Sequence, residues 1–211
     1  MNRDFVLRRF AGQSVGWRGF GMSPDEAVRI GLRGDHSLTP GQSLPDRPLT
    51  PAAVLVPLVE REEGFHVLLT QRTAHLADHA GQIAFPGGRV EVEDPDAAAT
   101  ALREAHEEVG LPPDHVEVIG RLDTYVTGTG FEITPVVGFV RTPYPVKLDP
   151  FEVAEAFEVP LSFVVDPTNH QKQSREARGV TRTFFVLPYG NRYIWGATAG
   201  MLVNLAEVLT S

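Results

Sequence analysis

Three carboxylates crowd the end of one short stretch, TALREAHEEVGL: Glu104, Glu107 and Glu108, with Arg103 before them and Gly110 after. On a helix, Glu104 and Glu108 are like-charged neighbours, which costs roughly 0.2–0.5 kcal/mol. Glu107 and Glu108 also fall in the last turn, where unpaired carbonyls make the helix end negative and disfavour anions by about 0.3–1 kcal/mol each. Arg103 offsets part of this by pairing with Glu107 at i,i+4. A cluster that opposes its own helix is best matched by a hard divalent cation. Mg²⁺ or Mn²⁺ takes oxygen ligands and binds between a few carboxylates and substrate phosphates, relieving the repulsion. The bland alternative is a solvated acidic face with no metal.

The helix that must hold these groups spans 97–109, because Ala98, Ala101, Leu102, Ala105 and Val109 share one arc and the glutamates an adjoining one. Its alanine-rich side predicts close packing on a sheet. Strand-like runs surround it. AAVLVPLVE and FHVLLTQR, joined by the acidic turn EREEG, read as a hairpin, and GQIAF as a short strand ended by Pro86-Gly87-Gly88. HVEVIGRL, FEITPVVGFV, VPLSFVV, TRTFFVLPYG and RYIWG continue the strand signals, and ATAGMLVNLAEVL reads as a closing amphipathic helix. SPDEAVRIGLR reads as a short helix capped by Ser23, followed by a Pro/Gly/Ser-rich linker, so residues 1–50 are expected to form an appendage to a domain over 51–211. Without regular βαβ alternation the expected class is α+β: a mixed sheet with helices packed on its faces.

The composition narrows the function. A net charge of −8 argues against a general nucleic-acid or membrane-surface binder. An anionic small substrate would need local arginines or a metal. With no cysteine there is no disulfide, thiol nucleophile or thiolate metal site, which fits a reducing, cytoplasmic setting. The start MNRDFVLRRF lacks an apolar signal core, and AAVLVPLV is too short to span a bilayer.

Arg103 to Leu111 resembles the second half of the Nudix box, G-x5-E-x7-R-E-U-x-E-E-x-G-U, with Ala105 at the bulky aliphatic position U. The first half departs: Gly88 lies fifteen residues before Arg103, one more than the usual spacing, which leaves open which of Glu91, Glu93 and Asp94 serves as the upstream acid. LLTQRTAHLADHAGQIAFPGG, residues 68–88, upstream of the box looks like the coenzyme A pyrophosphatase branch of the Nudix hydrolases, which shares the one-residue extension. Two positions differ from that signature, Thr73 for Ser or Ala and Ala77 for a basic residue. The resemblance runs through most of residues 52–207.

This resemblance implies an α/β/α sandwich and a metal-dependent pyrophosphohydrolase that cleaves CoA to 4′-phosphopantetheine and adenosine 3′,5′-bisphosphate. ADP-ribose or a dinucleotide is the alternative substrate, and a non-catalytic nucleotide-sensing module the alternative class. Glu104, Glu107, Glu108 and the Gly88 carbonyl would hold the metal, and Arg103 would pin the glutamates. Arg72 is the first choice for a phosphate contact, Glu155 or Glu152 for the general base, and Phe85 for packing under the FPGG loop or stacking on adenine. His75 and His79, four apart, read as polar packing rather than a zinc pair; His106 reads as exposed, Tyr193 and Trp195 as core. The oligomeric state is left open.

Overall fold

The computed structural model describes residues 1–12, 22–39, 44, 46–75, 80–177 and 180–211. In chain order its elements are α1 (Arg3–Phe10), α2 (Pro24–Arg29), β1 (Arg33–Gly34), α3 (Asp35–Leu38), β2 (Thr50–Arg61), β3 (Gly64–Arg72), β4 (Ile83–Ala84), β5 (Gly87–Arg89) and α4 (Ala97–Val109). Then come β6 (Val116–Arg121), β7 (Tyr125–Val126), β8 (Phe131–Val140), β9 (Val153–Pro160), α5 (Leu161–Val165), β10 (Gln171–Ala177), β11 (Val180–Tyr189), β12 (Arg192–Trp195) and α6 (Gly196–Thr210).

β2 is the spine. It pairs in parallel with β8 from Thr50↔Phe131 to Val59↔Val140, antiparallel with β3 at its far end, and antiparallel with β5 near its start. The result is a nine-stranded mixed sheet, with a separate three-stranded sheet β10–β11–β12. Side chains alternate across a strand, so β2 feeds two cores at once. Val54, Val56 and Leu58 join Val67, Leu69, Val137 and Phe139 on the face covered by α1, α5 and α6. Ala53, Leu55 and Val59 join Leu68, Val136 and Val140 on the face covered by α4. The expected α/β/α sandwich is present. Ala97, Ala101 and Ala105 are fully buried, and their small side chains let α4 lie close on the sheet.

Four expectations need correction. The segment VPLSFVV is the end of β9 followed by helix α5, because Pro160 lacks the N–H a strand would use and sits at the helix N-cap instead. The helix α6 is not amphipathic: residues 198–206 are all buried, since it lies between the large sheet's apolar face and Leu187 and Ile194 of the small sheet. Tyr193 and Trp195 are exposed at 47% and 38%, with Trp195 edge-on to Phe184. Finally, the described parts of residues 1–50 are not set apart. Val6 and Phe10 of α1 are buried in the main core, Phe10 lies where a Cβ on Gly120 would collide with it, and β1 adds to the large sheet beside β7. Part of the expected linker, 40–43 and 45, lies outside the described residues. The helix α2 starts as read, with Ser23 accepting from the Glu26 N–H and Pro24 in the first turn, but ends at Arg29, before the expected residue 33. Among the described residues no helix is long and apolar enough to cross a membrane.

If α1 is part of the core, Phe10→Ala should destabilise the protein by roughly 3–5 kcal/mol, read as a lower urea midpoint. A change below about 1 kcal/mol would return residues 1–50 to the status of an appendage.

Candidate active site

The helix α4 is fixed at both ends. Asp96 caps its start by accepting from the Ala99 N–H at 2.9 Å. Gly110 ends it in the left-handed conformation (φ 70°), which a side chain would resist. The orphan carbonyls at that end find partners outside the helix: Lys147 N–H donates to the Val109 carbonyl at 3.0 Å and Asp149 N–H to that of Glu108 at 2.9 Å. The segment before β9 thus satisfies the end that looks unfavourable in isolation.

Arg103 organises the acids. Its Nη1 lies 2.9 Å from Glu104 and 3.2 Å from Glu107, and its Nη2 3.0 Å from Asp94 and 3.1 Å from the Arg89 carbonyl. Glu91 is a looser neighbour at 3.7 Å. Asp94 answers the register question for the arginine. It also accepts from Thr100 Oγ1 and the Glu91 N–H, and its side chain is only 6% exposed. The hydrogen bonds from Arg103 hold its carboxyl down to about 2.

Glu104 and Glu108 converge on the glycine strand β5. Gly88 sits opposite Ala53, so its missing side chain faces α4, and a Cβ there would collide with the Glu104 carboxyl. Glu108 accepts from the Gly87 N–H at 3.3 Å and lies 3.6 Å from Arg72. Its side chain is 5% exposed, and burial pushes its carboxyl up to about 8 despite Arg72. Burial likewise raises Glu104, against the pull of Arg103. Among the described residues no three acidic or histidine side chains already stand at ligand spacing, because Arg103 draws Glu104 and Glu107 while Arg72 faces Glu108. The donor chemistry nevertheless fits a hard cation: two incompletely compensated carboxylates share one backbone site with little water to solvate them.

Arg72 reaches this cluster through the alternation of β3. On β3, Leu68, Thr70 and Arg72 point to the α4 face, while Leu69 and Gln71 point to the other. Glu155 is opposite Gln71 and so falls on the α6 face, where Arg192 grips it through both oxygens at 2.6 and 2.8 Å and holds its carboxyl below the usual range. The bulge between Gln71 and Arg72 then pairs Arg72 with Val153 and brings Glu152 to 3.8 Å from the Arg72 guanidinium. The expectation of Glu155 as base is corrected accordingly: Glu152 is the acid beside the cluster.

Phe85 is 2% exposed within the core, so its ring supports the loop and presents no face for stacking. His106 is exposed, as read. His75 packs edge-on against Phe151 at 5.0 Å; His79 and Ala77 lie outside the described residues. Sequence reasoning missed the cleft that adjoins the cluster. It encloses about 880 Å³ and is lined by Arg72, Gly87 and Gly88 at one end and by Arg47, Arg89 and Phe131 further along. Its residues are scattered over the chain, and no local motif announces them.

Oxygen donors for a cation beside a glycine strand, with the Arg72 guanidinium next to them, are the two complements that a phosphate anhydride needs, which is the site of a hydrolase of that class. The NUDIX domain model matches residues 49–179, and the chain belongs to the Nudix hydrolase family, a family of pyrophosphohydrolases. Relatives described as uncharacterized Nudix hydrolase NudL, from Enterobacter sp. (strain 638) and Escherichia coli (strain K12), are each 43% identical over 155 residues, 74% of this chain and 80% of theirs. Among solved structures, an Ap4A hydrolase binary complex from C. elegans overlaps with a TM-score of 0.46 at 21% identity, covering 53% of this chain and 80% of that one. The M. smegmatis Nudix hydrolase RenU overlaps with 0.44 at 27%, covering 56% and 74%.

Asp94 has a depressed pKa in the fold, so it contributes stability that is present above its unfolded value near 3.8 and is lost as pH falls toward about 2. Asp94→Asn should therefore cost roughly 2 kcal/mol at pH 7, and the gap from the parent should close between about pH 4 and pH 2 in urea titrations. A gap that persists unchanged at pH 2 would show that Asp94 acts by shape rather than charge.

Proposed function

We propose that this Nudix hydrolase cleaves the diphosphate of coenzyme A or its derivatives, giving 4′-phosphopantetheine and adenosine 3′,5′-bisphosphate. The observation that carries this reading is the meeting of two motifs: LLTQR ends at Arg72, REAHEEVGL supplies Glu104 and Glu108, and the FPGG strand stands between them at the mouth of the cleft. An arginine-bearing cleft of this volume suits a nucleotide in an otherwise acidic chain.

Glu104, Glu107, Glu108 and the Gly88 carbonyl would hold Mg²⁺ or Mn²⁺. The bound ion neutralises phosphate charge and makes water a better nucleophile. Arg103 orients Glu104 and Glu107 from one guanidinium, itself anchored by Asp94. Arg72 lines the cleft and offers its fork to a phosphate oxygen. Glu152, partly exposed beside Arg72, takes the proton of the attacking water. Water oxygen bonds to one phosphorus as the bridging P–O bond breaks, and the leaving phosphate carries away the bridging oxygen.

Incubation with Mg²⁺ or Mn²⁺ and CoA, ADP-ribose or NADH, with products separated by ion exchange, tests the substrate. CoA should be split to the two named products, and a chelator should abolish the reaction. Cleavage of ADP-ribose or NADH with CoA intact would overturn the substrate, and no cleavage of any would favour a nucleotide-sensing module.

Glu107 is 57% exposed and among the described residues bonds through its side chain to Arg103 alone, so Glu107→Gln should leave the melting temperature within a few degrees while lowering kcat by roughly 100-fold. Unchanged turnover would remove it from the site. Glu152→Gln should lower kcat by at least about 100-fold with little change in KM, whereas Glu155→Gln should not. The reverse pattern would restore Glu155 as base.

A further inference from the structure

In a chain of net charge −8, the described residues that line the cleft include four arginines, Arg47, Arg72, Arg89 and Arg182, against a single acid, Asp35. That acid is already engaged. One oxygen accepts from the Tyr125 hydroxyl at 2.8 Å and the other from the Gly128 N–H at 2.7 Å, so Asp35 holds the 127–129 turn in place. Arg72 faces Glu108 and Glu152, but among the described residues no carboxylate lies within ion-pair distance of Arg47, Arg89 or Arg182.

Strand register sets where two of these charges point. Arg89 is opposite Ala52, one residue beyond Gly88, so its side chain takes the cleft face rather than the α4 face, and its guanidinium lies 5.5 Å over the Phe131 ring. Arg47 donates to Thr50 Oγ1 at 3.2 Å and to the Thr129 carbonyl at 3.1 Å. Thr50 is itself opposite Phe131, so both guanidinium groups gather around one point of the cleft wall. The turn beside them is rigid: Thr127 and Thr129 hydroxyls meet at 2.9 Å, and Thr127 accepts from the Phe131 N–H at 3.0 Å. Gly87 stands opposite Val54, four strand residues from Thr50, or about 13 Å. A diphosphate held at Gly87–Gly88 cannot span that distance, since its phosphorus atoms share one bridging oxygen.

We propose that Arg47 and Arg89 form a second anion subsite, which takes a phosphate monoester on the nucleoside part of the substrate and makes the enzyme prefer nucleotides that carry one. The proposal rests on the reading that the scissile diphosphate lies at Gly87–Gly88. Arg47 and Asp35 both lie outside the 49–179 family match, as befits selectivity added to a shared core.

Two measurements test it. The first compares kcat/KM for CoA and for 3′-dephospho-CoA. The parent should prefer CoA by roughly tenfold, the worth of one charge-assisted contact at an accessible site. Arg47→Gln and Arg89→Gln should each narrow that ratio, and the double variant should bring it near one. The second measures binding by calorimetry, without turnover: adenosine 3′,5′-bisphosphate should bind the parent about tenfold tighter than AMP, and the double variant should lose the difference. Equal kcat/KM for CoA and dephospho-CoA, or a preference that survives the double substitution in folded protein, overturns the subsite. If neither CoA compound is cleaved, the proposed substrate fails, and the binding comparison still decides the subsite: equal affinity for bisphosphate and monophosphate overturns it.

Discussion

Glu108 is a carboxylate held almost out of water at the negative end of its own helix, and much of the architecture around it answers that constraint. Burial, with the nearby Glu104 and Glu152 carboxylates, drives its carboxyl up to about 8. Three features make the position tolerable: the Gly87 N–H that donates to it, the Arg72 guanidinium beside it, and the backbone of 147–149 that takes the adjacent helix carbonyls. None fully satisfies it, since removing a carboxylate from water costs several kcal/mol and these partners are neutral or more than 3 Å away. A site with this residual demand for positive charge is poised for a cation. The stability forgone is the cost of keeping a ligand set ready.

The glycine strand β5 is the boundary between the carboxylate cluster and the floor of the cleft. Its register against β2 sends the Gly88 position toward α4 and the Arg89 side chain toward the cleft. The carboxylates approach the backbone from one face because Gly88 has no side chain in their way. The cleft opens on the other, over a floor of Thr50, Ala52, Val54 and Phe131. Two adjacent residues with opposite orientation therefore keep the carboxylates on one side and the Arg89 guanidinium on the other, while a few ångströms of backbone connect them.

The same period-two logic explains why Glu155 and Glu152 have different fates. Three residues apart in an unbroken strand, they would also lie on opposite faces, but nothing in the sequence says which faces α4. Pairing Glu155 with Gln71 assigns it to the α6 face and to Arg192. Glu152, beyond the register shift that pairs Arg72 with Val153, lies 3.8 Å from the Arg72 guanidinium. Arg192, in turn, lies 3.7 Å from the Phe157 ring, so that ion pair is part of the packing between the two sheets.

Legible in the chain alone were the helix 97–109, its glycine end, the packing face of alanines, the hairpin before it and the pairing of Arg103 with Glu107, because each is a local pattern of period, cap or i,i+4 spacing. The sequence also announced the sandwich through the family resemblance. Tertiary contacts settled that Asp94 anchors Arg103, that Phe85 is interior, that α1 belongs to the core and that α6 is buried over 198–206. They alone gathered Arg47, Arg72, Arg89 and Asp35 around one cleft. Those outcomes depend on register and on contacts between residues far apart in the chain, and a one-residue slip of a strand reverses every side chain on it.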